Sequence, residues 1–342
     1  MTVDRRTSLR RIGAFAAGAG LAPIQPGGGP ASDQPAPVLE LVNATEFEAM
    51  ARLVLPPERY DAISGGHRRA FDRMTFRQRL MVYAMDLDLT TELFGHQMFA
   101  PILVGPVANQ GDLHPEGELA TARGASAAKT VMVATRDASH PIAQIIGASN
   151  EPVWFQLYAD AVTLRDDATR AVDAGCAALC LTVGVSSNRT PVPTDWNAIE
   201  QLSQAVDIPV VVKGIMNAAD ARTALQQGAQ GLVVSNHGGQ VPGGGVLPVE
   251  ALSAVADAVD GQVPVLVDGS FRRGTDLLKG LALGATAIMV ARPPMWGLAA
   301  YGAEGVQTVL ELLQTELARN MAASGRPTIA MIDRELVRFD SR

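Results

Sequence analysis

The fold is decided by the stretch Pro209-Val210-Val211-Val212-Lys213-Gly214, together with the Ala-rich stretch 218–227 and the run Gly231-Leu232-Val233-Val234 that follow it. Each run is short and β-branched, and the stretch between them has apolar residues at helical spacing. The runs are continuously apolar rather than alternating, which is typical of parallel strands covered on both faces. The stretch therefore predicts a strand–helix–strand unit of a parallel sheet.

The same unit recurs along the chain. Strand-like runs begin 22 to 33 residues apart, which fits a strand, a helix and two short loops per unit. They lie at residues 102–107, 130–135, 153–158, 177–183, 209–214, 231–236, 264–269 and 287–293. Eight such units favour an α/β fold with a single (β/α)8 TIM barrel. A doubly wound open sheet is the alternative, but the early G-x-G-x-x-G typical of it is absent.

The remaining segments divide the chain further. Residues 1–37 combine a basic start containing Arg5-Arg6, an apolar stretch too short to span a bilayer, and a Pro/Gly-rich linker. They predict a twin-arginine-type export signal, and hence a periplasmic or cell-envelope protein. A disordered basic tail on a cytoplasmic protein is the alternative. We expect an N-terminal helical cap segment at 38–100, the barrel at 101–325 and a C-terminal extension at 326–342.

Composition excludes several classes of protein. The net charge is −7 and aromatic residues make up 5% of the chain, which argues against a nucleic-acid partner. Charged residues make up only 18% and hydrophobic residues 47%, so a large core is expected rather than disorder. Cys176 and Cys180 lack metal or redox spacing and predict small buried residues. No metal site is predicted.

Polar residues fall at the predicted carboxyl ends of the strands, where barrels of this kind place their active sites. They are Gln156, Tyr158, Thr182, Lys213, His237, Asp268 and Arg292. The loop 268–274 opens a helix and carries Arg272, so backbone N–H groups and two arginines predict a phosphate site. A phosphate tail there would let a ring reach Lys213 across the barrel mouth, and flavin mononucleotide (FMN) has that length. Lys213 is suited to stabilising a reduced flavin, and His237 to taking the substrate proton.

Several motifs carry a resemblance to a known family. They are Ser235-Asn236-His237-Gly238-Gly239, Val267-Asp268-Gly269, Arg272-Arg273-Gly274-Thr275-Asp276, Trp154-Phe155-Gln156-Leu157-Tyr158 and Val212-Lys213-Gly214. From about Leu39 to about Asp333 the chain resembles the FMN-dependent 2-hydroxy-acid oxidases and dehydrogenases, a family that includes glycolate oxidase, lactate oxidase and mandelate dehydrogenase.

The resemblance implies a role for each matching residue. His237, Lys213 and Tyr158 would be catalytic, with His237 as the base and Tyr158 bonded to the substrate. The implied cofactor-binding set is Pro106, Val107, Ala108, Gln156, Thr182, Lys213, Asp268, Gly269, Ser270, Arg272, Ala291 and Arg292. The implied substrate-binding set is Tyr158, Arg189, His237 and Gln240. The resemblance also implies that the substrate is a small hydroxy acid or alcohol. Oxygen or a respiratory chain would accept the electrons, and the protein would form a tetramer.

Four departures from the family pattern lie on the substrate side. The family's carboxylate-clamping arginine is replaced by Gln240, and the carboxylate that orients its catalytic histidine is replaced by Gly184. Ala62 replaces a substrate-binding tyrosine of the family. The loop after the fourth strand, which in the family carries a second arginine, is short here, and Arg189 is the candidate for that arginine. These changes predict an atypical substrate. A flavin-binding scaffold with decayed catalysis and a non-redox barrel using Lys213 as a Schiff-base amine remain alternatives.

Overall fold

Eight parallel strands close into a barrel in the computed structural model, which describes residues 34–77, 86–188, 190–239 and 245–339. Each strand pairs with the strands before and after it in the chain, and the last pairs with the first. The strands are β1 (Ile102–Val104), β2 (Val131–Thr135), β3 (Val153–Tyr158), β4 (Ala178–Thr182), β5 (Val210–Ile215), β6 (Gly231–Val234), β7 (Val265–Val267) and β8 (Ala287–Val290). The predicted TIM barrel is confirmed, and the open-sheet alternative is wrong.

Every predicted run coincides with one barrel strand, although β5 extends one residue past its run to Ile215 and several strands are shorter than their runs. The seventh run was predicted to reach Gly269, whereas β7 ends at Val267. The backbone turns there because Gly269 and Ser270 have left-handed φ values of 97° and 63°. The polar ends of the runs therefore form the rim of the barrel rather than its wall.

A helix follows each strand. The helices are α1 (Gly117–Ala127), α2 (Ile142–Gly147), α3 (Leu164–Asp173), α4 (Trp196–Ala205), α5 (Ala218–Gln226), α6 (Pro248–Val259), α7 (Gly274–Ala282) and α8 (Arg292–Ala323). Helix α8 is kinked at Gly302, where φ is 59° and ψ is −137°. Gly124 of α1 faces the main chain of α8 so closely that a Cβ atom there would collide with the Ala303 carbonyl oxygen.

The barrel interior is a closed apolar core. Its fully buried side chains include Leu103, Cys180, Val211 and Leu266. A hairpin of strands Thr91–Leu93 and His96–Met98 closes the amino-terminal end of the barrel, with the Phe94 ring 5.7 Å from the Trp154 ring. The opposite end, where the polar residues lie, is therefore the open one.

The segment before the barrel packs over this open end. It contains helices Ala44–Val54, Pro57–Ile63 and Arg69–Asp72 and the strand Met74–Phe76, which pairs antiparallel with Val337–Phe339 near the carboxyl terminus. Trp296 Nε1 donates to the Ile63 carbonyl at 2.9 Å, and Lys279 Nζ donates to the Phe71 carbonyl at 2.8 Å. These bonds hold the N-terminal segment against α7 and α8.

The predicted export signal and its linker cover residues 1–37, and residues 1–33 of this segment lie outside the described residues. Within the described part of the chain, no helix is both long enough and apolar enough to cross a membrane.

We expect the closed apolar core of the barrel interior to contribute strongly to the free energy of unfolding. Leu266→Ala is expected to lower the free energy of unfolding by about 2–5 kcal/mol, because it opens a cavity in a closed core. Leu39→Ala makes the same chemical change at a side chain that is 88% exposed, whereas Leu266 is 0% exposed. We expect less than about 0.5 kcal/mol for that control. Denaturant unfolding followed by circular dichroism measures both, and similar losses would contradict this packing.

Candidate active site

The strand ends bring the predicted residues to one cleft at the open end of the barrel. Those that line it are Pro106, Val107, Ala108, Gln156, Tyr158, Lys213, His237, Asp268, Gly269, Ser270, Arg272, Ala291 and Arg292. Thr182 is fully buried beside them, and its hydroxyl accepts a hydrogen bond from Gln156 Nε2 at 2.6 Å. Arg189 and Gln240 lie outside the described residues.

A buried charge network lies at the centre of the cleft. Lys213 Nζ donates to Ser235 Oγ at 2.9 Å and lies 3.0 Å from Asp268 Oδ2. Ser235 Oγ in turn donates to the same Asp268 oxygen at 2.9 Å. Lys213 is only 5% exposed, so its ammonium group needs this carboxylate to offset the lost hydration. Adjacent strands β5, β6 and β7 supply the three residues.

One atom of this network is unsatisfied. Asp268 Oδ1 is buried and has no hydrogen-bond partner among the described residues. A buried carboxylate oxygen without a donor is costly, so this atom is suited to accepting a hydrogen bond from a hydroxyl group of a ligand.

Two arginines converge at the other end of the cleft. Burial lowers the pKa of Arg272 to about 10, and burial also lowers the pKa of Arg292. A Cβ atom placed on Gly66 would lie 2.7 Å from Arg292 Nη1, 2.8 Å from Ser270 Oγ and 3.1 Å from Arg272 Nη2. Three donor groups therefore gather around Gly66, and Arg272 Nη2 also donates to the Gly65 carbonyl. Such a cluster of arginine and hydroxyl donors is suited to binding a phosphate.

The carboxylate of Asp276 holds the loop that carries this site. Asp276 Oδ2, in the first turn of α7, accepts from the backbone N–H of Arg272 at 2.9 Å and of Arg273 at 3.0 Å. Arg68 binds both oxygens of Asp276, at 2.8 and 2.9 Å, and donates to the Ser270 carbonyl at 3.0 Å. The N-terminal segment thus fixes the phosphate loop in place.

His237 faces the cleft in a restrained conformation. Its φ is 51°, its backbone N–H donates to Ser235 Oγ at 3.2 Å, and its Nε2 lies 3.0 Å from the Val183 carbonyl oxygen. Burial, followed by the positive charge of Lys213, lowers the pKa of His237 to about 3. The imidazole is therefore neutral at physiological pH, as a proton acceptor must be.

The described residues on the substrate side of the cleft are small or apolar. Ala62, Ile63, Val185 and Gly238 line it together with Tyr158. A Cβ atom on Gly184 would meet nothing within 4 Å, so open space lies beside this residue. None of these lining residues carries a fixed charge.

Sequence reasoning missed three contributors to this site. The motif around His237 contains Ser235 but predicts no role for it, whereas in the structure Ser235 joins Lys213 to Asp268. Gly66 and Arg68 come from the segment before the barrel. The Gly65-Gly66 pair and the position of Ser235 two residues before His237 were the available signals.

The fold and the cleft are those of a TIM-barrel enzyme with a cluster of arginines suited to a phosphate-bearing cofactor, and comparisons with known proteins show its family. The model of the family described as FMN-dependent dehydrogenase matches residues 64–191 and 185–339. The chain therefore belongs to the FMN-dependent dehydrogenase family, as an oxidoreductase of the 2-hydroxy-acid oxidase type whose cofactor is FMN. The Schiff-base alternative is wrong.

Similar proteins include a peroxisomal (S)-2-hydroxyacid oxidase of Arabidopsis thaliana, 34% identical over 88% of this chain and 98% of the relative. A 4-hydroxymandelate oxidase of Amycolatopsis orientalis is 36% identical over 83% of this chain and 94% of the relative. A crystal structure of mandelate oxidase with (S)-2-phenylpropionate has a TM-score of 0.82 and 36% identity, and covers 88% of this chain and 100% of its own.

The residues present fit FMN. The orphaned Asp268 oxygen can accept a hydrogen bond from a ribityl hydroxyl group. Arg272, Arg292 and Ser270 converge on a space with no side chain in it, since residue 66 is glycine. The cleft between them and Lys213 is continuous.

The two glycines of the 65–66 pair allow a matched test of the phosphate site. Gly66→Ala is expected to raise the Kd for FMN by about tenfold or more, because the new methyl group crowds Arg292 and Ser270. Gly65→Ala also sits at positive φ but has nothing within 4 Å, so its effect should be smaller. Quenching of flavin fluorescence on titration into apoprotein measures both values. Equal Kd values for the two variants would place the phosphate elsewhere.

Proposed function

We propose that this enzyme oxidises the carbinol carbon of a hydroxy compound with His237 as the base, and that it recognises this substrate without the family's arginine clamp on a carboxylate. The observation that carries the proposal is the retention of a buried, neutral His237 in the same cleft as Lys213. The substrate-side changes at Ala62 and Gly184 support its second half.

Each residue of the cleft has a task in this proposal. FMN, when bound, supplies the hydride acceptor. His237 takes the hydroxyl proton of the substrate, and Tyr158 orients the substrate from the end of β3. Lys213 places positive charge where negative charge develops, and Ser235 and Asp268 hold that ammonium group in position.

The charges of the cleft favour a substrate that is uncharged beside its hydroxyl group. Lys213 is already paired with Asp268, and Arg272 and Arg292 lie at the phosphate end. A carboxylate bound beside Ala62 and Val185 would lose its hydration without gaining a bidentate partner among the described residues. Gln240 offers only a neutral amide at the clamp position, and Arg189 is the remaining cationic candidate.

The competing proposal is a flavin-binding scaffold with decayed catalysis. It is favoured by the absence of both the clamp arginine and the strand-end carboxylate from their positions, which hold Gln240 and Gly184. It is opposed by the retention of His237, Lys213 and Tyr158 in one cleft.

Three further parts of the proposal rest on the sequence and its relatives. Arg5-Arg6 and the apolar stretch after it support export to the periplasm or cell envelope. The similar proteins named oxidases favour oxygen as the electron acceptor over a respiratory chain. Resemblance to the family supports a homotetramer.

The proposal is tested by a pair of substrates of nearly the same shape, one charged and one neutral beside the hydroxyl group. We expect (S)-mandelamide to bleach the flavin anaerobically at least as fast as (S)-mandelate, because the carboxylate lacks its clamp. Gln240→Arg should reverse this preference. Stopped-flow absorbance of the holoenzyme measures both rates, and a preference of wild type for mandelate by tenfold or more would contradict the proposal.

A control separates this proposal from the scaffold. His237→Gln should slow bleaching by the better substrate by about 10²–10⁴-fold while dithionite still reduces the flavin. If a panel of hydroxy acids, amides and larger alcohols leaves wild-type flavin oxidised while dithionite reduces it, the scaffold is favoured instead.

A further inference from the structure

The contact between His237 and the main chain has a chemical consequence. His237 Nε2 lies 3.0 Å from the carbonyl oxygen of Val183. A carbonyl oxygen has no hydrogen and can only accept, so the bond requires a hydrogen on Nε2. In a neutral imidazole the other nitrogen, Nδ1, then carries the lone pair.

The carbonyl that makes this contact is fixed by the barrel. The N–H group of Val183 donates to the Lys213 carbonyl at 2.9 Å, directly after the β4–β5 pairing, and the side chain is 2% exposed. The preceding residue, Thr182, is bound by Gln156. The Val183 carbonyl therefore cannot change its direction without disturbing the pairing at the carboxyl ends of β4 and β5.

The imidazole is fixed from the other side by a glycine. Gly214 has φ of 121°, and a Cβ atom there would lie 2.7 Å from His237 Nε2 and 2.5 Å from the Val183 carbonyl oxygen. Only glycine lets the ring and the carbonyl meet at this point. The bond from the His237 N–H to Ser235 Oγ restrains the backbone as well.

From this geometry we infer that the Val183 carbonyl is a positioning group that holds His237 as its Nε2–H tautomer, so that Nδ1 is the atom that accepts the substrate proton. The inference rests on the proposed role of His237 as the base. The main-chain oxygen orients the ring at the place where the family's carboxylate, here replaced by Gly184, would do so.

The proton and electron count is that of an alcohol oxidation. The O–H and C–H bonds of the carbinol break and a C=O bond forms. The hydroxyl proton goes to Nδ1 of His237, and bound FMN, the cofactor of this family, would accept the hydride. His237 then carries hydrogens on both nitrogens, with Nε2–H still bonded to Val183, until Nδ1 releases its proton to solvent.

A carbonyl stabilises the protonated ring less than a carboxylate does, since it has no net charge. The charged groups that face the ring are Lys213 from β5, which opposes protonation, and Asp268 after β7, which favours it. Tyr158 and Arg292 line the same cleft. Because Lys213 and Asp268 are paired with each other, their effects on the ring partly cancel.

The tautomer can be observed directly in holoenzyme labelled with 15N-histidine. The chain has five histidines, and the signals lost in His237→Gln assign this one. We expect a protonated Nε2 and an unprotonated Nδ1 at neutral pH, with no change when the pH is lowered to about 5. A proton on Nδ1, or on both nitrogens at neutral pH, would overturn the inference whether or not a substrate is known.

Two substitutions of Gly184 form a matched pair that tests how a negative charge beside His237 affects its protonation. Gly184→Asp restores a carboxylate in open space, and Gly184→Asn has the same shape without charge. Both residues tolerate the positive φ of 79° at this position better than most. Gly184→Asp should raise the pH at which His237 protonates by about 1–3 units, whereas Gly184→Asn should leave it near the wild-type value.

The same 15N signals measure this titration, and FMN absorbance of each purified variant verifies folding. Equal shifts in both variants would show that a charge at position 184 does not act on His237, and would overturn the inference that the Val183 carbonyl takes the place of a carboxylate there. If wild type shows the expected tautomer but oxidises no hydroxy compound, the proposed function fails while the assignment of the tautomer stands.

Discussion

A buried ammonium group sets the constraint on which the rest of this structure depends. Lys213 is withdrawn from water at the barrel mouth, and the carboxylate of Asp268 and the hydroxyl of Ser235 are what make this tolerable. These groups meet only because a closed barrel places the ends of β5, β6 and β7 side by side. The packed barrel interior therefore positions the strand ends that form the charge network of Lys213, Ser235 and Asp268.

The two sides of the cleft differ in their chemistry. On the cofactor side, the contacts run from the N-terminal segment to α8. They include the approach of Gly66 to Arg272 and Arg292 and the Arg68–Asp276 ion pair. On the substrate side, the described lining includes the small or apolar residues Ala62, Ile63, Val185 and Gly238. The cofactor side is therefore rich in fixed polar contacts, whereas these residues of the substrate side offer few.

The barrel was predictable from the sequence because its signal is local. Each strand is a short β-branched run, and each polar strand end sits within a few residues of that run, so Lys213, His237 and Asp268 could be placed on one rim in advance. The contacts of Gly66 and Arg68 join residues about 200 positions apart and leave no local pattern. The acceptor on Val183 was also invisible, because every residue has a carbonyl group and only the folded backbone aims this one at His237.

If the phosphate of FMN binds between Arg272 and Arg292, it anchors the flavin across the barrel mouth. Titration of apoprotein with FMN and with riboflavin, which lacks the phosphate, measures this contribution. We expect FMN to bind at least about thirtyfold more tightly, equivalent to about 2 kcal/mol, and Arg292→Met to remove most of this difference. Similar affinities for the two flavins in the wild-type protein would contradict this expectation.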